Sequence, residues 1–217
     1  MRRVIVMDFM TLDGVVQAPG KTDEDRSGGF KHGGWQMRYI DDLSMRWIQE
    51  RISSAGGFLL GRRTYEIFAA YWPNAPREEQ ALARPMNNLP KYVASRTLSK
   101  PLGWQNARLL EGDVLQAVAA LKREQGGDLL VPGSTQLVQS LVERDLIDEF
   151  QLMVDPLFVG GGKRLFRDDG VLRTLRLVQS QITPSGALIV RYEPVLPEAQ
   201  IPVTERPEQH PPPRARA

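Results

Sequence analysis

The 217-residue chain contains no cysteine. That absence excludes disulfides, thiolate metal sites and a cysteine nucleophile, and it leaves the reducing cytoplasm as the expected compartment. Histidine is almost as scarce. His32 and His210 are too far apart to pair on one helix, and zinc or iron centres need several convergent ligands, so no metal site is expected. No stretch approaches the ~18–20 consecutive apolar residues of a membrane span, and the apolar run in "MRRVIVMDFMTLDG" is too short for a signal peptide. No membrane association is expected. A formal charge of only +2, spread without a basic stripe, gives no reason to expect nucleic acid as a partner.

What is present reads as an ordinary globular protein, with 41% apolar and 25% charged residues. From Glu193 onward, "EPVLPEAQIPVTERPEQHPPPRARA" loses all apolar period and gains prolines. Residues 194–217 are expected to form an extended or mobile tail, with an arm clasping a partner subunit as the alternative. Ahead of it, strand-like segments (2–9, 57–61, 91–97, 107–111, 128–133, 147–159) alternate with helix-like ones (41–55, 64–72, 113–125, 134–144). Asp113 is a plausible helix cap. "TLRLVQSQI" and "ALIVRYEPV" flank "TPSG" as a hairpin. The pattern predicts one domain over residues 1–193, a three-layer α/β/α sandwich with a mostly parallel central sheet and a late antiparallel edge.

Three strand-to-helix or strand-to-turn junctions carry chemistry. In "GFLLGRRTYE", Gly61, Arg62, Arg63 and Thr64 stand where a helix begins; its free amides and partial positive charge suit an anion. In "DLLVPGSTQLV", the strand stops at Pro132-Gly133, and Ser134 or Thr135 caps the next helix or serves a ligand. In "KYVASRTL", a hydroxyl beside a guanidinium suits a phosphate monoester. Together they favour a ligand bearing several phosphates. "VGGGKRLF" is not a P-loop, because Leu157 and Arg164 stand where that motif needs glycine and Ser or Thr, and no G-x-G-x-x-G follows a strand. Gly160 to Gly162 read as a turn that either covers a ligand or serves only the chain.

In order, "TLDG", "LLGRRTYE", "KYVASRTL", "LLVPGST" and "DPLFVGGGKRLF" resemble the dihydrofolate reductase superfamily. The closer likeness is to the branch holding the reductase domain of bifunctional riboflavin-biosynthesis deaminase-reductases and their stand-alone relatives. The zinc deaminase half is absent, since there is no H-x-E and no P-C-x-x-C. The resemblance implies a dihydrofolate-reductase-like sheet and NADPH as cofactor. Gly61, Arg62, Arg63 and Thr64 would meet its phosphates, Ser95, Arg96 and Thr97 its 2′-phosphate, and Pro132, Gly133, Ser134 and Thr135 its pyrophosphate and nicotinamide side. Leu12, Asp13 and Gly14 would close over nicotinamide and substrate. Asp13 is either a substrate contact or proton relay, or ordinary Asp-Gly turn chemistry.

Dihydrofolate reductases carry a carboxylate early in the helix before "LLG"; here that place falls near Met45. Asp41 and Asp42 lie about a turn earlier and would substitute only if the helix shifts; otherwise they are first-turn acids favoured by the helix dipole. Folate is therefore not the expected substrate. Trp35 and Tyr39 would stack on a flat heterocycle, or be buried for their own sake. The implied activity is hydride transfer from NADPH to a C=N or C=O bond of a small heterocyclic or aminopyrimidine-ribosyl substrate, an oxidoreductase of the CH–NH or CH–OH classes, in a homodimer. The alternative is a non-catalytic module that binds NADP(H) or another nucleotide.

Overall fold

The structure, a computed structural model, describes residues 1–195. Eight strands form one sheet: β1 (Val4–Thr11), β2 (Gly57–Gly61), β3 (Lys91–Ala94), β4 (Ala107–Leu109), β5 (Leu129–Pro132), β6 (Glu149–Asp155), β7 (Leu175–Ile182) and β8 (Leu188–Pro194). Their order is β4-β3-β2-β5-β1-β6-β8-β7. Strands β1 to β6 pair in parallel, and β8 and β7 add antiparallel to β6. The expected layered architecture and terminal hairpin are both present. Strand β8 runs through Pro194, and the Val195 amide donates to the Thr174 carbonyl. The ordered hairpin thus extends past the boundary expected at 193. The rest of the proline-rich tail lies outside the described residues.

Five helices pack on the sheet: α1 (Asp42–Ser54), α2 (Arg62–Tyr71), α3 (Gln80–Asn88), α4 (Val114–Arg123) and α5 (Thr135–Val142). Alternation along β1 assigns the faces. Val4 and Val6 join Val118, Leu121, Leu137, Val138 and Leu141, so α4 and α5 cover one side. Ile5 and Met7 join Ile48, Ile52, Tyr65 and Met86, so α1, α2 and α3 cover the other. Helix α1 begins with a capping box in which Asp41 accepts from the Leu43 and Ser44 amides and Ser44 accepts from the Asp41 amide. Asp113 caps α4 through the Gln116 amide, as expected. Helix α3 is not among the helices expected from the sequence, and Pro85 stands inside it. It forms nonetheless, with Ala83 and Met86 buried.

The amino-terminal ends of the strands are closed by a tight backbone crossing. A Cβ added at Gly56 would stand 2.4 Å from the Gly127 carbonyl carbon and oxygen. The buried Arg2 guanidinium fixes the same corner, donating to the carbonyls of Gly127 (2.7 Å) and Gly56 (3.2 Å) and to the Tyr92 hydroxyl (3.0 Å). Backbone cannot yield as a flexible side chain can. Gly56→Ala is expected to destabilise the fold by roughly 1–3 kcal/mol, read as a lowered midpoint in thermal or urea unfolding. An unchanged midpoint would mean the two segments separate easily.

Candidate functional site

Strands β2 and β5 are neighbours, yet the helices that follow them leave in opposite directions: α2 packs on the α1 side and α5 on the α4 side. The divergence opens a crevice beyond their carboxyl ends, the place where open α/β sheets bind ligands. Two helix starts meet there. Each leaves its first amides without intrahelical acceptors and contributes partial positive charge.

The two starts are tied to each other by a reciprocal pair of hydrogen bonds. The Gly61 amide donates to Ser134 Oγ (2.9 Å), and the Ser134 amide donates to Thr64 Oγ1 (3.1 Å). Ser134 therefore does not cap its own helix, contrary to the first of the two roles considered for it: it stands at the cap position in a left-handed conformation (φ 61°), without a side-chain cap bond. Its hydroxyl serves the neighbouring turn instead. Gly133 (φ 57°) completes the corner, and a Cβ there would meet Thr64 Oγ1 at 3.5 Å in a strained conformation. Gly61, Arg62, Arg63, Thr64, Pro132, Gly133, Ser134 and Thr135 thus form one structural unit.

The two arginines diverge. Arg62 is largely exposed and lies 3.7 Å from Glu66 one turn on. Arg63 instead reaches back to Asp25 (2.8 Å), whose other oxygen holds Lys163 (2.6 Å). Burial pushes the Asp25 carboxyl up, but hydrogen bonds from Lys163 and Ser27 outweigh it and hold the group below the usual carboxylate range. Gln17, buried beside it, donates to the carbonyls of Asp25 and Ser27 and accepts from the Lys163 amide. The segment after β1, the start of α2 and the glycine turn are therefore fastened together.

Asp13 is saturated. It accepts from the Thr11 hydroxyl (2.6 Å) and from the amides of Val159 (3.3 Å) and Gly160 (2.9 Å), while Arg164 donates to its carbonyl. Burial favours its neutral form, yet these hydrogen bonds prevail and depress its pKa. Gly14 supplies the left-handed turn (φ 83°), and Leu12 is exposed beside it. At the end of β3, Ser95 Oγ accepts from the Thr97 and Leu98 amides, while the side chains of Arg96 and Thr97 stand exposed.

The substrate-side candidates lie on the segment before α1 and at its first turn. Trp35 is buried with Val15, Ala18 and Phe30, and its indole donates to the Gln17 carbonyl; it fills a small core and leaves no face for a heterocycle. Tyr39 packs with Leu43 and Trp47 against Met153, Ala187 and Ile189, beneath the β7–β8 hairpin. Asp42 is an exposed first-turn acid. The neighbouring Asp41 is committed to α1 and to the Ser185 amide; burial pushes its carboxyl up, but the hydrogen bonds from Ser44 and Ser185 together outweigh it and bring the pKa down to about 2. Two polar recesses of about 260 Å³ each, sharing Arg51, Gln151 and Arg191, lie along the α1 side of the sheet rather than at the switch point.

Sequence reasoning passed over Gln17 and Asp25, which resemble any loop polar residues until their partners are known. It also passed over two buried acids. Asp155 ends β6 opposite Thr11, fully enclosed, with neither carboxylate oxygen hydrogen-bonded among the described residues, and burial pushes its pKa up to about 7. Asp8 lies within β1 and is treated below.

With this geometry in hand, the comparisons are specific. A family model described as the RibD C-terminal domain matches residues 2–189. The chain belongs to the RibD C-terminal domain family. Among curated relatives, the uncharacterized protein YyaP of Bacillus subtilis (strain 168) is 27% identical over 194 residues, 88% of this chain and 94% of the relative. A pyrimidine reductase-like protein from Corynebacterium diphtheriae superposes with a TM-score of 0.62 at 11% identity, covering 89% of this chain and 92% of the other. Dihydrofolate reductase from Enterococcus faecalis, solved with NADP(H) and RAB-propyl, gives 0.55 at 12% identity, covering 88% and 96%. At such identities the structural likenesses establish the fold.

The cross-link between the helix starts should be cooperative. Ser134→Ala and Thr64→Val are each expected to destabilise by roughly 0.5–1.5 kcal/mol, and the double variant by less than their sum. Fully additive losses in urea unfolding would show that the two bonds act independently.

Proposed function

We propose that this RibD C-terminal domain protein is an NADPH-dependent reductase that delivers hydride to a C=N or C=O bond of a small heterocyclic or aminopyrimidine-ribosyl substrate. The observation that carries the reading is the pair of helix starts locked together at the topological switch point, an amide-rich corner suited to a pyrophosphate. The order of the strands supports it further. Along the carboxyl edge, Arg96 follows β3, Gly61 ends β2 and Gly133 follows β5, so three anion-suited turns stand on successive strands about 4.8 Å apart. An extended dinucleotide phosphate has that linear form.

NADPH, when bound, supplies the hydride. The chain's residues do the rest. Free amides of α2 and α5, with Arg62, bind the pyrophosphate, while the Ser95 hydroxyl and Arg96 take the 2′-phosphate. Leu12 and Gly14 cover the nicotinamide side and exclude water. Asp13, ionised and occupied by the glycine-turn amides, anchors that cover rather than carrying a proton. The non-catalytic alternative draws on one observation, the commitment of Trp35, Tyr39 and Asp41 to the fold. Oxidation of NADPH by any member of a carbonyl and imine panel rules it out; tight binding without oxidation favours it.

The homodimer belongs to the same proposal. Strand β7 is an edge whose outer hydrogen-bonding groups have no partner strand among the described residues, and Leu177 and Ile182 on it are 51% and 72% exposed. Sedimentation at micromolar concentration should give a dimer that Ile182→Lys shifts to monomer; a monomeric parent protein contradicts this. For the cofactor, Arg96→Ala should weaken NADPH by about tenfold to a hundredfold, the equivalent of one charge-assisted contact, and leave NADH nearly unchanged. Equal losses for both would remove Arg96 from the 2′-phosphate.

A further inference from the structure

Asp8 is an anomaly in a central strand. It is 3% exposed. Its Oδ1 accepts from the adjacent Phe9 amide (2.9 Å), and its Oδ2 is buried with no hydrogen-bond partner among the described residues. The last rung between β1 and β5 is Met7 with Pro132, so Asp8 lies one residue beyond it, where β5 has turned away at Gly133. Alternation places it on the face of Val4 and Val6, the face on which α5 begins.

No cation among the described residues compensates it. Burial is the main force on its carboxyl and pushes the pKa up to about 8; the Phe9 amide opposes this, and the charge of Glu24 adds to it. Glu24 is itself pushed up by burial, against hydrogen bonds from the Gly20 and Lys21 amides. At neutral pH Asp8 is therefore a carboxylic acid with an O–H and nowhere to donate it. Buried donors without acceptors are rare in folded proteins, and an enclosed acid driven toward its neutral form beside the end of a neighbouring strand is a candidate functional group.

Sheet order says which part of a ligand it would face. Arg96 follows β3, Gly61 ends β2, Gly133 follows β5 and Asp8 lies within β1, and those strands are neighbours in that succession. Asp8 thus comes after the phosphate-suited turns, at the opposite end from Arg96. We propose that Asp8 donates its proton in a hydrogen bond to an uncharged acceptor at the reactive end of the crevice, either the nicotinamide carboxamide or the reducible C=O or C=N of the substrate. This rests on the cofactor reading given above.

The test measures NADPH and 2′-phospho-ADP-ribose dissociation constants for the parent protein, Asp8→Asn and Asp8→Leu between about pH 6 and pH 9.5, with melting temperatures alongside. Asp8→Leu removes a solitary buried polar group and should melt at or above the parent temperature. If the carboxamide is the acceptor, Asp8→Leu weakens NADPH about tenfold, the worth of one such bond, and leaves 2′-phospho-ADP-ribose unchanged. NADPH binding by the parent then weakens above about pH 8, as the donor ionises, whereas Asp8→Asn keeps a donor and loses that dependence.

If the substrate is the acceptor, both affinities hold. Turnover of whichever pterin, aminopyrimidine ribosyl phosphate or lactone the parent reduces then falls at least about tenfold in Asp8→Leu and far less in Asp8→Asn. Loss of both ligands alike, or of neither affinity nor turnover, overturns the proposal. A parent protein that binds no NADPH refutes the cofactor reading itself, a distinct outcome.

Discussion

Two hydrogen bonds between adjacent turns, Gly61 to Ser134 and Ser134 to Thr64, set the geometry on which the rest of the site depends. Helices α2 and α5 leave the sheet on opposite faces, and nothing in their packing alone fixes how their first turns face each other. A serine at the cap position would ordinarily satisfy its own helix. Here it turns to the neighbour, which leaves α5 without a side-chain cap among the described residues and holds the start of α2 beside it. Gly133 permits the arrangement because its left-handed backbone places no side chain against Thr64.

Around that corner the electrostatics are arranged by burial rather than by net charge. Asp25 is stabilised as an anion by Arg63 and Lys163, so one of the two arginines at the start of α2 is neutralised and Arg62 is left outward. Asp13 does for the glycine turn what Asp25 does for the loop before it, receiving amides that would otherwise be unsatisfied. Asp8 and Asp155 go the other way: enclosed without cations, both are driven toward the neutral form. Raised carboxyl pKa values stabilise the fold below the unfolded value near 4 and withdraw that contribution as pH rises toward 7 and 8. The fold therefore retains two groups that oppose its own stability at neutral pH, close to where its strands end.

The fold was largely legible in the sequence because it rests on local signals. Short apolar runs gave the parallel strands, two of them bounded by Gly-Gly or Pro-Gly, Asp113 marked a helix start, and "TPSG" marked the hairpin. Helix α3 was not among the expected helices; the burial of Ala83 and Met86 that holds it is a property of the packed molecule. The phosphate-suited turns were visible for the same reason as the strands, since a glycine followed by donors at a strand end has meaning without its partners.

What could not be read was pairing across the chain. Ser134 looked like a cap, Trp35 like a stacking platform and Asp25 like a solvated loop acid, and each role is set by residues 18 to 138 positions away. Asp8 was hidden by its surroundings: nothing local shows that the strand on one side of it stops at Met7's partner Pro132 and leaves it enclosed without a partner on that side.

The central claim is that this strand-end corner grips NADPH. Isothermal titration of the purified, folded protein tests it most directly. The account predicts saturable heat with one site per chain, stronger for NADPH than for NADH. No heat for NADPH at millimolar concentration would contradict it.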